Sequence, residues 1–86
     1  RPMRKIISVK AFDYYLICDL DDGSTYKYDM SFLLQRKGEM VLPLKDLDFF
    51  KKVFIESGTL AWPNGYDIHG NTIERDGQKI SSEIAS

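Results

Sequence analysis

Residues 6–12 alternate, with Ile7, Val9 and Ala11 on one side and Ile6, Ser8, Lys10 and Phe12 on the other. A period of two is the mark of a strand with one face on a core. The expectation is that Ile7, Val9 and Ala11 point inward. The next run, 14–20, places Leu16, Cys18 and Leu20 opposite Tyr15, Ile17 and Asp19. It is apolar on much of both faces, as a central strand would be. Asp21-Asp22-Gly23 then signals a hairpin, because Gly tolerates positive φ and Asp side chains bond to local backbone. Residues 24–30 alternate again, Tyr26, Tyr28 and Met30 against Thr25, Lys27 and Asp29. Three such strands in sequence make an antiparallel meander, and its apolar face needs a cover.

The segments after Met30 are expected to supply that cover. Asp29 or Ser31 can cap a short helical turn over Ser31-Phe32-Leu33-Leu34-Gln35-Arg36-Lys37, ending at Gly38. Pro43 demotes residues 40–46 to an edge or a loop. Residues 43–54 predict a helix with Leu47, Phe50 and Phe54 on one face and Leu44 behind. Its early Asp46 and Asp48 and late Lys51 and Lys52 suit the helix dipole, and it is expected to stop near Lys52. A second hairpin comes next, Val53–Ile55 and Thr59–Trp62 about Glu56-Ser57-Gly58. Pro63-Asn64-Gly65 is a turn, and Ile68 and Ile73 are expected as apolar plugs on an irregular return. From Glu74 onward the residues are polar apart from Ile80, Ile84 and Ala85, which predicts a loose tail or a short frayed helix. The fold class is therefore α+β, a three-stranded antiparallel meander followed by a helix and a second hairpin, in the order β-β-β-α-β-β. The expected domain is 1–74, with a polar tail at 75–86. Arg1 and Pro2 precede Met3, which is expected to be the natural start.

With 86 residues the chain has room for one small domain. Five Phe, five Tyr and one Trp supply much of the area such a core needs. The net charge of -1 leaves no basic footprint for nucleic acid or an anionic membrane. Tyr14, Tyr15, Tyr26 and Tyr28 could in principle stack on bases, but the meander is the acidic part of the chain. No apolar window reaches the length of a membrane span. The single cysteine, Cys18, excludes an intramolecular disulfide and suits a reducing, cytoplasmic setting.

The chemistry is thin. Phosphate-binding glycine loops, nucleophile elbows and paired-cysteine motifs are all missing. Cys18 lies in an apolar run, where a thiol behaves as a small hydrophobe with a raised pKa. Asp19-Leu20-Asp21-Asp22-Gly23 has its Gly one position too early for a calcium loop. Asp67 and His69 alone are too few to hold zinc. No cofactor or metal is expected, and no residue is assigned as catalytic. Trp62 is either a core tryptophan with its N–H satisfied, or an anchor for a partner.

Leu44, Asp46 and Phe50, then Gly58, then Trp62-Pro63-Asn64-Gly65, then Asp67 and Ile68 form a specific series. It resembles the bacterial family of small domains of unknown function DUF2442, over about residues 4–74. The chain departs from that pattern at His69-Gly70-Asn71-Thr72-Ile73, where the family commonly has a Pro and a Leu. The resemblance implies a small α+β domain and no established activity. It also implies a genomic setting in which some relatives are fused to a helix-turn-helix region. Others are encoded beside another small domain, DUF4160, as a toxin–antitoxin-like pair would be. The chain has no room for a helix-turn-helix. The expected function is a non-enzymatic protein-interaction domain with a small partner encoded nearby, and with Trp62, Asn64, Tyr66 and Asp67 as its patch. The alternative is a small-molecule-binding or enzymatic domain that uses Asp67 and His69 beside Trp62.

Overall fold

The computed structural model describes residues 4–82. The expected start at Met3, the Arg1-Pro2 pair and Ile84 lie outside the described residues. Strands β1 (Ile6–Ala11), β2 (Tyr15–Leu20) and β3 (Ser24–Asp29) form the expected antiparallel meander. Two 3-10 turns come after it, at Ser31–Gln35 and Leu42–Lys45, then a single α-helical turn, α1 (Leu47–Phe50). Strands β4 (Phe54–Glu56) and β5 (Thr59–Ala61) make the expected second hairpin. The last described elements are β6 (Asp67–Ile68), α2 (Gly70–Asp76) and β7 (Gln78–Ser82). The class is α+β, and the expected order holds through the second hairpin.

The strands form two sheets, in the orders β1-β2-β3-β7 and β4-β5-β6. The larger sheet turns Leu16, Cys18, Leu20, Tyr26 and Tyr28 inward, and Met30 joins them in the core. The smaller sheet contributes Leu60 and Ile68, the segments between the sheets contribute Leu33, Leu44, Phe50 and Trp62, and α2 contributes Ile73. The two sheets touch where the Ile6 amide donates to the Gly58 carbonyl at 2.9 Å.

Three expectations need correction. In β1 Val9 and Ala11 pack against the core as expected, but at its start Ile6 is the buried residue and Ile7 is 63 % exposed. The register slips between Ile6, opposite Leu20, and Ser8, opposite Asp19. A bulge thus inserts one residue, and one residue is enough to exchange the two faces of a strand. Residues 43–54 are not one helix. Asp46 takes an extended conformation, and its carboxylate accepts from the Asp48 amide at 2.9 Å. The Asp46 side chain therefore caps a new helical turn instead of decorating an existing one. Leu44 and Phe50 are buried as expected, but Phe54 sits exposed on β4.

The third correction concerns the end of the chain. Over residues 74–82 it is neither a loose tail nor a frayed helix, because α2 runs to Asp76 and β7 pairs with β3; the rest of the expected tail lies outside the described residues. Ile68 and Ile73 are buried plugs, carried on β6 and α2 and not on an irregular return. The link between α2 and β7 needs Gly77, where a Cβ would come within 2.6 Å of the Ile73 carbonyl oxygen.

Candidate functional site

The site begins at the corner Trp62-Pro63-Asn64-Gly65. The Gly65 amide donates to the Trp62 carbonyl at 2.9 Å, and the Trp62 amide donates to the Tyr66 carbonyl at 2.9 Å. Gly65 has φ 95°, which closes the three-residue loop in the left-handed region that a side chain disfavours. Asn64 ties the corner down at both ends. Its amide donates to the Met40 carbonyl at 3.0 Å, and its carbonyl oxygen accepts from the Tyr66 amide at 3.3 Å.

Trp62 itself is 1 % exposed. Its indole N–H donates to the Phe50 carbonyl at 2.8 Å, and its ring meets those of Phe50 and Tyr66 at 6.0 and 5.6 Å. Of the two sequence readings, the core tryptophan is the one found. Of the expected patch, Asn64 and Tyr66 are half-buried and Asp67 is exposed, while Trp62 supports them from beneath.

Asp67 and His69 flank Ile68 at the outer edge of β6. Both are exposed, and His69 Nδ1 lies 3.5 Å from Thr59 Oγ1. A hollow opens on each side of them. One, of about 460 Å³, lies on the outer face of the small sheet. Phe54, Ala61, Pro63 and the edge of Trp62 line it together with Asp67 and His69. The other, of about 490 Å³, lies between β3, the 31–35 turn, β6 and α2. Tyr28, Phe32, Arg36, Tyr66, Thr72 and Arg75 are among its walls, again with Asp67 and His69.

Tyr28, Phe32, Arg36, Thr72 and Arg75 come from three separate elements, and no motif in the sequence joined them. Phe54, expected on a buried helix face, is 43 % exposed beside the first hollow.

The four tyrosines weighed as base-stacking platforms do not share a face. Tyr26 and Tyr28 are buried, and the Tyr14 hydroxyl donates to the Lys45 carbonyl. Tyr15 alone lies on the open face of the large sheet, stacked on Phe12 at 5.0 Å with the Lys27 ammonium 4.5 Å from its centroid.

The acidic hairpin is held by its own hydroxyls. Asp19 accepts from Ser8 at 2.6 Å and from Thr25 at 2.5 Å, and these bonds lower its pKa. Asp22 accepts from both the amide and the hydroxyl of Ser24, which also lowers its pKa. Both carboxylates thus serve the hairpin. Burial pushes the Cys18 thiol up to about 12, far from nucleophilic readiness. Among the described residues no group of three or more His, Cys, Asp or Glu is placed to hold a metal ion. Among them, too, no helix is long and apolar enough to cross a membrane.

Fold and site together define a small α+β domain in which two antiparallel sheets share one core, with a glycine corner packed on a buried tryptophan. The chain belongs to DUF2442, a family of proteins of unknown function, whose sequence profile matches residues 6–78. No curated protein and no solved structure gives a significant match to it. The residues that carry the family resemblance have structural duties here. Leu44, Phe50, Trp62 and Ile68 are core, Asp46 is a cap, and Gly58 and Gly65 occupy positive-φ turns.

Proposed function

We propose that this chain is a non-enzymatic interaction domain that binds a small protein encoded nearby, through the outer face of β4-β5-β6 and the corner beside it. The observation that carries this reading is the row Phe54, Ala61 and Asp67, which the strand register places side by side across that face. Phe54 is an exposed aromatic in a shallow hollow, next to Pro63 and the carboxylates of Glu56 and Asp67. Aromatic anchors in shallow pockets with a polar rim are the usual energetic centres of protein interfaces. The acidic rim selects a partner with an apolar protrusion flanked by Lys or Arg. A toxin–antitoxin-like pairing is one form this association would take.

Co-expression with each adjacent gene, followed by co-purification, tests the reading. A stable complex with one neighbour is expected, weakened by Phe54→Ser and by Asp67→Lys while the melting temperature of the free domain barely moves. Absence of any complex with the neighbouring products would sink it.

A second reading has one observation in its favour, since Trp62, Asp67 and His69 do line a single hollow. On that reading the domain binds or transforms a small molecule there, with His69 as the proton-handling group. His69→Gln should then abolish ligand-induced shifts in the amide spectrum, and unchanged shifts would remove the reading.

A further inference from the structure

The second hollow, bounded by β3, the 31–35 turn, β6 and α2, is lined by three polar side chains, Tyr28, Arg36 and Asp67, that make no hydrogen bond or ion pair to another side chain among the described residues. Tyr28 is only 7 % exposed, yet its hydroxyl makes no hydrogen bond among the described residues. No fully hidden side-chain N or O atom lacks a partner among those residues, so the hydroxyl end is the part of Tyr28 that reaches the hollow. The ring is buried while the hydroxyl faces the open hollow, where it can donate to a bound group. Arg36 lies over the Phe32 ring at 5.0 Å and has no carboxylate partner among the described residues. Asp67 likewise has no cation partner there.

The other charged groups of the hollow are occupied. Asp29 accepts from the Ser31 amide at 2.9 Å. Arg75 and Asp76 hold each other in a two-pronged pair at 2.8 and 2.9 Å. One guanidinium and one carboxylate are thus left over, in a space of about 490 Å³. That is within the range of roughly 300–1,000 Å³ typical of small-ligand sites.

We infer that this hollow binds a small zwitterion, of the class of free α-amino acids. The carboxylate sits on Arg36 and the Tyr28 hydroxyl, and the ammonium sits on Asp67. A lone anion would gain Arg36 but meet the uncompensated charge of Asp67, and a lone cation the reverse. A ligand that brings both charges satisfies both. Thr72 and Tyr66 add hydroxyls without protein partners along the wall. Burial, and after it the nearby Asp76, raise the pKa of Tyr28, which keeps its hydroxyl a donor through neutral pH. The inference does not rest on the docking reading, because Arg36 and Tyr28 are not on the outer face of the small sheet.

The test is an amide-shift titration of the whole chain with each of the twenty free amino acids. Acetate and methylamine serve as single-charge probes, and the amide and N-acetyl derivatives of any binder complete the set. Saturable shifts at Tyr66, His69 and Thr72 are expected. Affinity should fall about tenfold or more in Arg36→Gln, in Asp67→Asn and for either blocked derivative, as loss of a charge-assisted bond implies. Both variants change exposed side chains, so a melting curve will match that of the parent. The inference is overturned if no free amino acid shifts these amides, if Arg36→Gln binds as tightly as the parent, or if acetate binds as well as the amino acid. Failure here leaves the partner co-purification unaffected.

Discussion

The indole nitrogen of Trp62 donates to the carbonyl of Phe50 at 2.8 Å, so the glycine corner and the end of α1 are joined through the core. Both side chains are fully enclosed. The bond connects the two most distinctive parts of the family pattern, the Leu44-Asp46-Phe50 segment and the Trp62–Gly65 block. Trp62→Phe keeps an aromatic ring but removes the donor, leaving a buried acceptor to bear about 1–3 kcal/mol. Trp62→Ala adds a cavity and should cost about 3–5 kcal/mol, enough to unfold a domain of this size. Urea denaturation monitored by circular dichroism will rank the parent above Trp62→Phe and Trp62→Ala last. Equal midpoints for the parent and Trp62→Phe would show that the indole bond contributes nothing.

Gly70 opens α2 with no room for a side chain. A Cβ there would stand 2.2 Å from the carbonyl oxygen of Arg4 and 2.8 Å from its carbon. The clash is with backbone, and that backbone is anchored, since the Arg4 amide donates to Asn71 Oδ1 at 2.7 Å. Gly70→Ala should therefore destabilise by about 1–3 kcal/mol, as overpacking does, despite the better helix propensity of alanine. Gly38 makes an informative contrast. A Cβ at Gly38 meets nothing within 4 Å, and only its φ of 130° opposes substitution. Thermal melts of the two alanine variants separate steric contact from backbone strain. If Gly70→Ala melts at or above the parent temperature, the packing of Arg4 on α2 is wrong.

How far the sequence disclosed this structure depends on where each element's information lies. Strands β2 and β3 were legible because Leu16, Cys18 and Leu20, then Tyr26, Tyr28 and Met30, state the inward face three times over. Strand β1 was legible at Val9 and Ala11 but not at its start, because Ile6 and Ile7 are adjacent and equally apolar, and a bulge set by pairing with β2 decides between them. The sequence Gln78-Lys79-Ile80-Ser81-Ser82 has no apolar face, because its order comes from the ladder with β3 at a solvated sheet edge. At the site, the Trp62–Gly65 corner was legible as local turn chemistry. The hollow was not, since Tyr28, Arg36 and Thr72 are 8 and 36 positions apart in the sequence and meet only through the tertiary fold.

Cys18 has a pKa pushed from its ordinary 9.0 up to about 12, first by burial and then by the charge of Asp19. The folded state holds the thiol proton over a pH range in which the unfolded chain releases it. The stability linked to this proton is therefore complete below pH 9.0 and is lost as pH rises toward about 12. The native chain should react with a disulfide reagent only as fast as it unfolds, and Cys18→Ala should flatten the alkaline decline in melting temperature. Prompt stoichiometric labelling of the folded protein at neutral pH would contradict the buried thiol.

Asp19 supplies the opposite arm of the pH profile. Its carboxylate bridges β1 and β3 by accepting from Ser8 at 2.6 Å and Thr25 at 2.5 Å across the open face of the large sheet. These two bonds hold its pKa below the ordinary 3.8, against a smaller opposing effect of desolvation. A depressed carboxylate contributes stability that is present above its unfolded pKa and lost as pH falls through the folded one. Acid should therefore loosen the large sheet at the β1–β2–β3 contacts. Asp19→Asn keeps the shape, but its amide can accept through one oxygen only, so one hydroxyl loses its acceptor. The variant is expected to be less stable than the parent at pH 7 and to show a shallower fall in stability below the ordinary 3.8. The group is close to solvent, so the effect should be modest and the two curves should converge in strong acid. Parallel curves across the whole acid range would show that Ser8 and Thr25 do not hold the charged form of Asp19.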